Sequence, residues 1–276
     1  MEHLLSTWPA VSRQVEAARH ILLLADYDGT LTPIVERPEL AALPPGRRRL
    51  LRALTESGCC ILGIISGRAL GDLQQKVGIE GIVYAGNHGL EIEGPGLRLI
   101  HPVAQEVRPV LRAIFQLLRH SLHTITGAFV EDKGLTLSVH YRMVEKEKAD
   151  EVQRTVERVV GGPQKLGMVR VTAGKKVFEV RPEAAWDKGK AVRLLMRRYG
   201  KGGRRSGLLP IYIGDDLTDE DAFRVIEKYG EGISVFVGES EQESAARYYL
   251  KSPDEVETFL SRLLEITQRN PHDRTD

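Results

Sequence analysis

Ile21-Leu-Leu-Leu-Ala-Asp26-Tyr-Asp28-Gly29-Thr30 is the stretch that decides the fold. Its first five residues are apolar without interruption. A strand with one solvated face would alternate, so this run reads as a strand buried on both faces of a parallel sheet. It ends abruptly at Asp26, with Asp28 two residues on and Gly29 permitting a tight turn. Working outward, Ile61-Leu-Gly-Ile-Ile65 is a second such run and stops at Ser66-Gly67-Arg68. Between the two, residues 46–55 carry Leu50, Leu51 and Leu54 at helical spacing, giving strand, helix, strand. Ile82-Val-Tyr-Ala85 runs into Gly86-Asn87-His88-Gly89 as a third strand. The pattern resumes far downstream: a helix over 188–199, a strand Leu209-Pro-Ile-Tyr-Ile213 ending at Gly214-Asp215-Asp216, a helix, and a strand Ile233-Ser-Val-Phe-Val237.

Residues 103–182 follow a different rule. A helix through Val110, Leu111, Ile114, Leu117 and Leu118 precedes strands at 128–131 and 135–141. A helix over 146–160, with Ala149, Val152, Val156 and Val159 on one stripe, and two more strands follow. The strand at 135–141 alternates: Leu135, Leu137, Val139 and Tyr141 face one way, Thr136, Ser138, His140 and Arg142 the other. Its polar face is a candidate lining for a ligand cleft. The predicted class is therefore α/β: a doubly wound parallel sheet built from 1–102 and 183–276, interrupted by an α+β insertion of an antiparallel sheet with two helices at 103–182. The connections near 94–102 and 182–186 read as the hinges of that insertion. A Gly/Arg-rich stretch at 200–207 reads as a solvated connection, and 270–276 as a polar tail.

Composition narrows the chemistry. The 276 residues are 42% hydrophobic, enough for a sizeable core, and 39 Lys and Arg against 38 Asp and Glu leave a formal charge of +1. No global field then draws nucleic acid or an anionic membrane, so an anionic substrate must be captured locally. The only cysteines, Cys59 and Cys60, are adjacent, which suits neither a disulfide nor a metal site and fits small core residues in a reducing compartment. The first apolar run is too short for a membrane span and too late for a signal peptide. The expectation is a cytoplasmic protein acting on a small molecule.

In open parallel sheets ligands gather beyond the carboxyl ends of the strands, where Asp26, Asp28, Ser66 and Asp215 all fall. Asp26 and Asp28 offer one carboxylate to attack phosphorus and another to manage a proton. A carboxylate meeting a phosphoryl group needs a divalent cation between them, and oxygen-only donors from Asp26, Asp28 and Asp215 point to Mg²⁺. Ser66 and Gly67 supply a hydroxyl and backbone N–H groups for phosphate. Lys188, at a helix start where the dipole does not favour a cation, makes sense as the phosphate's counter-charge. Each piece alone reads as a turn or a helix cap. Together, each at the end of an apolar run, they point to phosphoryl transfer.

Asp26-Tyr-Asp-Gly-Thr-Leu-Thr-Pro-Ile-Val35, Ser66-Gly67-Arg68, Asp187-Lys-Gly-Lys190 and Gly214-Asp-Asp-Leu-Thr-Asp-Glu-Asp-Ala-Phe223 closely resemble the four motifs of the haloacid dehalogenase superfamily as found in trehalose-6-phosphate phosphatases, over about residues 20–265. The resemblance implies Asp26 as nucleophile, Asp28 as general acid and then base, Ser66, Gly67 and Lys188 on the phosphate, and Asp215 on Mg²⁺. Asp219 would be an outer-shell or alternate metal carboxylate, and the main chain of Asp28 a further ligand. Lys188 is preferred to Lys190 because the family's phosphate lysine precedes the glycine. The insertion resembles the family's cap, whose Glu131, Lys133, Lys175 and Glu179 would grip the sugar. His140 and Arg142 read either as contacts or as ordinary surface charges, Asn87 and His88 either as contacts or as a turn, and Arg68 is counted with the substrate contacts. The implied reaction is hydrolysis of trehalose 6-phosphate in trehalose biosynthesis. Open alternatives are sucrose phosphate or a glycosyl-3-phosphoglycerate as substrate, a phosphomannomutase-like transferase, and an idle regulatory module. A functional association with a trehalose-6-phosphate synthase is also left open.

Overall fold

The apolar run ending at Asp26 is the central strand of the larger sheet, and it is apolar throughout because each of its faces meets protein. The computed structural model describes residues 1–174, 176–200 and 207–269. Lys175, most of the 200–207 connection and the 270–276 tail lie outside the described residues. The chain divides into Met1–Arg98 with Trp186–Asp276, and Leu99–Ala185.

The first half of the larger unit runs β1 (Glu2–His3), α1 (Trp8–Ala17), β2 (His20–Ala25), α2 (Pro45–Glu56), β3 (Cys60–Ile65), α3 (Leu70–Val77), β4 (Val83–Gly86), β5 (Glu91–Gly94) and β6 (Leu97–Ile100). The insertion contributes α4 (Pro102–Leu122), β7 (Phe129–Asp132), β8 (Leu137–His140), α5 (Ala149–Lys165), β9 (Val169–Gly174) and β10 (Val177–Pro182). The chain returns with α6 (Lys188–Gly200), β11 (Leu208–Gly214), α7 (Glu220–Tyr229), β12 (Ile233–Val237), β13 (Tyr248–Leu250) and α8 (Pro253–Arg269).

The larger sheet has the order β1-β13-β12-β11-β2-β3-β4-β5-β6. Pairing is parallel from β1 through to β4 and antiparallel between β4 and β5. The chain winds outward from β2 through β3 and β4 on one side and from β11 through β12 and β13 on the other. β2 and β11 are thus the switch point of the sheet, where a crevice opens beyond the carboxyl ends. On β2, Ile21, Leu23 and Ala25 join a cluster with Val11 and Val15 of α1, Leu51 and Leu54 of α2 and Phe259, Leu260 and Leu263 of α8. Leu22 and Leu24 point the other way and are equally buried. Full burial of such a side chain contributes about 2 kcal/mol.

Several elements went unassigned in the sequence. β1 is two residues long and exists only through its pairing with β13. The stretch 94–102, expected as a hinge, holds the division between Arg98 and Leu99 and also contains β6, which extends the sheet beyond β5. Apolar alternation over so few residues is too weak a signal to read.

The smaller unit has a four-stranded antiparallel sheet, β7-β8-β10-β9. Leu111, Ile114 and Leu118 of α4 and Val152, Val156 and Val160 of α5 pack on Leu137, Val139, Phe178 and Val180. The helix expected over 146–160 opens with a 3-10 turn at Lys146–Lys148, and its buried stripe is Val152, Thr155, Val156 and Val160. Ala149 and Val159 sit at the stripe's edge, half-buried. On the opposite face of the sheet, cross-strand register aligns Glu131, Ser138 and Glu179. Thr136 and Ser138 are buried, so the longer side chains beside them carry this polar face. Among the described residues no helix is long and apolar enough to cross a membrane.

Candidate active site

Adjacent strand ends bring the core motifs together. Asp26 leaves β2 with its N–H donating to the Ile213 carbonyl at 2.9 Å, and Ser66 leaves β3 with its N–H donating to Ala85 at 2.9 Å. Asp26 is 5% exposed. Its Oδ2 lies 3.2 Å from Lys188 Nζ, while its Oδ1 is buried with no hydrogen-bond partner among the described residues. Lys188, the first residue of α6, donates to Asp219 Oδ1 at 2.7 Å. Asp187 caps that helix by accepting from the Lys190 N–H at 2.8 Å. This arrangement sends Lys188 inward, against the helix dipole, onto two carboxylates.

Asp219 is fully buried and saturated. Its Oδ1 also accepts from the Tyr212 hydroxyl at 2.5 Å, and its Oδ2 accepts from the Asp215 and Asp216 N–H groups, each at 3.1 Å. Gly214 makes this fold-back possible, since a Cβ there would sit 2.2 Å from Asp219 Cγ. Asp215 is less committed: its Oδ1 accepts from Thr30 Oγ1 at 3.0 Å. Its carboxylate occupies the space left by Gly29, whose φ is +82° and whose added Cβ would lie 2.1 Å from Asp215 Oδ2.

Asp26, Asp215 and Asp219 can bring one oxygen each within 4.8 Å of the others. Burial, followed by repulsion from Asp219 and Asp215, pushes Asp26 well above the usual carboxylate range even with Lys188 beside it. Burial, then Asp219 and Asp216, pushes Asp215 up to about 7. Lys188 keeps its charge despite burial, held up by Asp219 and Asp26. One ammonium facing this many carboxylates leaves an excess of negative charge, and Asp26 Oδ1 has no donor. An all-oxygen set of this kind fits a hard divalent cation. Asp215 has an oxygen free for it, and Asp26 Oδ2 keeps a lone pair for it beside Lys188, whereas the hydrogen bonds to Asp219 make that residue a support behind the ligands.

Asp28 stands apart from this cluster. Its partner in the structure is Arg68. Arg68 Nε donates to Asp28 Oδ2 and Nη2 to Oδ1, both at 2.7 Å. Arg68 is itself buried, with Nη1 on Asp72 Oδ2 and Nη2 on the Pro38 carbonyl, each at 2.8 Å. Arg68, counted in the sequence with the substrate contacts, makes these hydrogen bonds to protein groups.

Ser66 is buried and its Oγ accepts from the Arg68 N–H at 3.3 Å. α3 begins at Leu70, beyond Arg68 and Ala69. Asn87 and His88 both take left-handed conformations, φ 49° and 58°, followed by Gly89 at 87°. Such a run costs about 1–2 kcal/mol per non-glycine residue. It is held by Asn87 N–H on the Arg68 carbonyl at 2.7 Å, His88 N–H on the Ser66 carbonyl at 2.8 Å and Asn87 Nδ2 on Glu91 Oε1 at 2.8 Å. Asn87 thus takes part in a turn. His88 packs over Gly67, where a Cβ would lie 2.6 Å from its Nε2.

In the smaller unit, His140 Nε2 meets Glu131 Oε2 at 2.8 Å, Lys133 Nζ lies 3.7 Å from Glu179, and Arg181 Nε donates to Glu179 at 2.9 Å. Phe129 stacks on His140 with ring centroids 4.4 Å apart. Arg142 is exposed. Sequence reasoning missed Phe129 and Arg181, although each lies two residues from a named glutamate and so on the same face of its strand. It also missed Thr30, Asp72 and Tyr212. Tyr212 carries no sequence signal, since it reads as one more apolar position of a buried strand.

Comparison with known proteins gives one consistent family. A trehalose-phosphatase family profile matches residues 24–254. The Zea mays protein named as a trehalose 6-phosphate phosphatase is 37% identical over 258 residues, covering 89% of this chain and 70% of that one. The solved Aspergillus fumigatus trehalose-6-phosphate phosphatase superposes with a TM-score of 0.64 at 30% identity, covering 93% of this chain and 97% of that one. The C-terminal domain of the Candida albicans enzyme gives 0.79 at 24% identity over 93% of this chain and 96% of that one, a likeness of fold.

Proposed function

Since the chain belongs to the trehalose-phosphatase family, we infer that it hydrolyses trehalose 6-phosphate to trehalose and phosphate, as a step of trehalose biosynthesis, through an aspartyl phosphate on Asp26. The observation that carries this mechanism is the pairing of a held and a bare oxygen on Asp26. Lys188 fixes Oδ2, and Oδ1 is buried without a donor, so its lone pairs are not spent on a hydrogen bond.

Oδ1 would attack phosphorus as the bond to the sugar oxygen breaks, with Asp28 donating a proton to that oxygen. Water would then attack the phosphorus of the aspartyl phosphate, Asp28 would take its proton, and the bond to Asp26 would break. Lys188, Ser66 and the backbone at Gly67 would hold the phosphoryl oxygens. Asp26, Asp215 and the Asp28 carbonyl would hold Mg²⁺, with Asp219 orienting Asp215 from behind. When bound, the ion supplies the positive charge that lets two anionic groups approach. On the smaller unit, the ordered Glu131, Lys133, Glu179 and Arg181 cluster supports a role in reading sugar hydroxyls, which need fixed donors and acceptors.

Phosphate release from trehalose 6-phosphate, sucrose 6-phosphate, glucose 6-phosphate and glucosyl-3-phosphoglycerate, with Mg²⁺ and with EDTA, tests the substrate and the metal together. Trehalose 6-phosphate should dominate, and only with Mg²⁺. Asp26→Asn should abolish turnover while preserving the fold, and label trapped on another side chain would remove Asp26 from its role.

A further inference from the structure

Arg68 and Asp72 form a chain of charges that ends on Asp28. Both guanidinium edges are in use: the Nε and Nη2 fork spans the two oxygens of Asp28, Nη1 reaches Asp72 and Nη2 also reaches the Pro38 carbonyl. The guanidinium carbon lies 5.2 Å from the centre of the Tyr27 ring, which adds a cation–π contact. The Arg68 side chain is 7% exposed and that of Asp72 40%. Asp72 lies in the first turn of α3, a rigid element, so the chain of contacts runs from a helix to a side chain on the turn after β2.

A planar fork on both oxygens of a carboxylate fixes its rotation as well as its position, which a single lysine contact would not. Asp28 has particular need of this. Its side chain is 41% exposed and sits on a turn, where an unsupported carboxylate would sample several rotamers. In the reaction it must address one point in space twice, first the leaving oxygen and then the incoming water.

We propose that Arg68, buttressed by Asp72, is a positioning residue that acts on the reaction through the orientation of Asp28 and makes no contact with the sugar phosphate. The proposal rests on Asp28 being the acid and base of the mechanism above. It assigns Asp72 a part in catalysis and moves Arg68 from the substrate to its neighbour.

The test is a double-mutant cycle on trehalose 6-phosphate with Mg²⁺, comparing R68K, R68M, D72N, D28N and each of the first three combined with D28N. Rates at enzyme excess keep slow variants measurable. Orientation of a proton-transfer group predicts a fall in kcat of about a hundredfold for R68M and about three- to tenfold for D72N, with KM within about twofold. In the D28N background the same changes should cost no more than about twofold, because the group they orient is already disabled. Circular dichroism identifies any variant that does not fold. If R68M is one, D72N and R68K complete the cycle, since Asp72 is partly exposed and lysine preserves the buried charge. A raised KM with parental kcat would make Arg68 a substrate contact and overturn the proposal, as would penalties that multiply in D28N or parental kcat in R68M and D72N. Parental turnover in D28N alone would instead overturn the role of Asp28.

Discussion

Gly29→Ala puts a methyl group into the position that the Asp215 carboxylate occupies, and its consequence can be separated into two parts. Alanine at φ +82° pays a left-handed backbone penalty of about 1–2 kcal/mol. The new Cβ would also lie 2.1 Å from Asp215 Oδ2, where ordinary contact begins at 3.4 Å, so the carboxylate must retreat by more than an ångström. That retreat breaks the Thr30 hydrogen bond, worth about 1.5 kcal/mol or more to a charged group. It also misplaces a proposed metal ligand, and errors of about 1 Å in a reacting constellation cost about a hundredfold in rate. Gly58→Ala is the matched control: φ there is +75°, nothing lies within 4 Å of the added Cβ, and the residue is in the turn between α2 and β3. Thermal melts should show both variants destabilised, with Gly29→Ala lower by about a further 3–6 °C. Phosphate release from trehalose 6-phosphate, titrated with Mg²⁺, should fall about a hundredfold in Gly29→Ala alone, with half-saturation shifted to higher Mg²⁺. Parental activity in Gly29→Ala, or equal losses in the two variants, would refute the placement of Asp215 against Gly29 as a requirement of the site.

Lys188→Met removes a buried ammonium from Asp26 and Asp219, so it should abolish turnover and lower stability by about 3–5 kcal/mol, visible in a urea titration; a parental midpoint would contradict the pairing. Glu131→Ala and Glu179→Ala should lower kcat/KM for trehalose 6-phosphate by about ten- to a thousandfold while sparing p-nitrophenyl phosphate, and equal losses on both substrates would indicate damage to the fold. Asp215 is pushed from 3.8 to about 7 on folding, so the folded state binds the extra proton between these values. Its stabilising contribution is complete below about pH 4 and lost as pH rises through about 7. A divalent cation needs the ionised carboxylate, so Mg²⁺ binding should release more protons at pH 6 than at pH 9. Calorimetry in buffers of different ionisation enthalpy measures that release, and an equal count at both pH values would contradict it.

The sequence by itself determined the layer architecture and the stations of the chemistry. Apolar runs without alternation at 21–25, 61–65 and 209–213 can only be satisfied by burial on both faces, and each ends where polar residues begin, so Asp26, Ser66 and Asp215 were legible as strand-end groups. The switch to alternation at 135–141 marked the insertion for the same reason. What only the tertiary structure decided is which partner each of these side chains takes. Asp28 is two residues from Asp26 in sequence yet pairs with Arg68 from the neighbouring strand end. Asp219 is one of five acidic residues of one motif, but the hydrogen bonds from Lys188, Tyr212 and two backbone N–H groups make it the buried support. Tyr212 reads as core until its hydroxyl is seen to reach a carboxylate. Periodicity is a property of contiguous residues and survives in one dimension; hydrogen-bond partnership depends on sheet order, register and burial, which are set only when β2, β3, β11 and α6 are brought side by side.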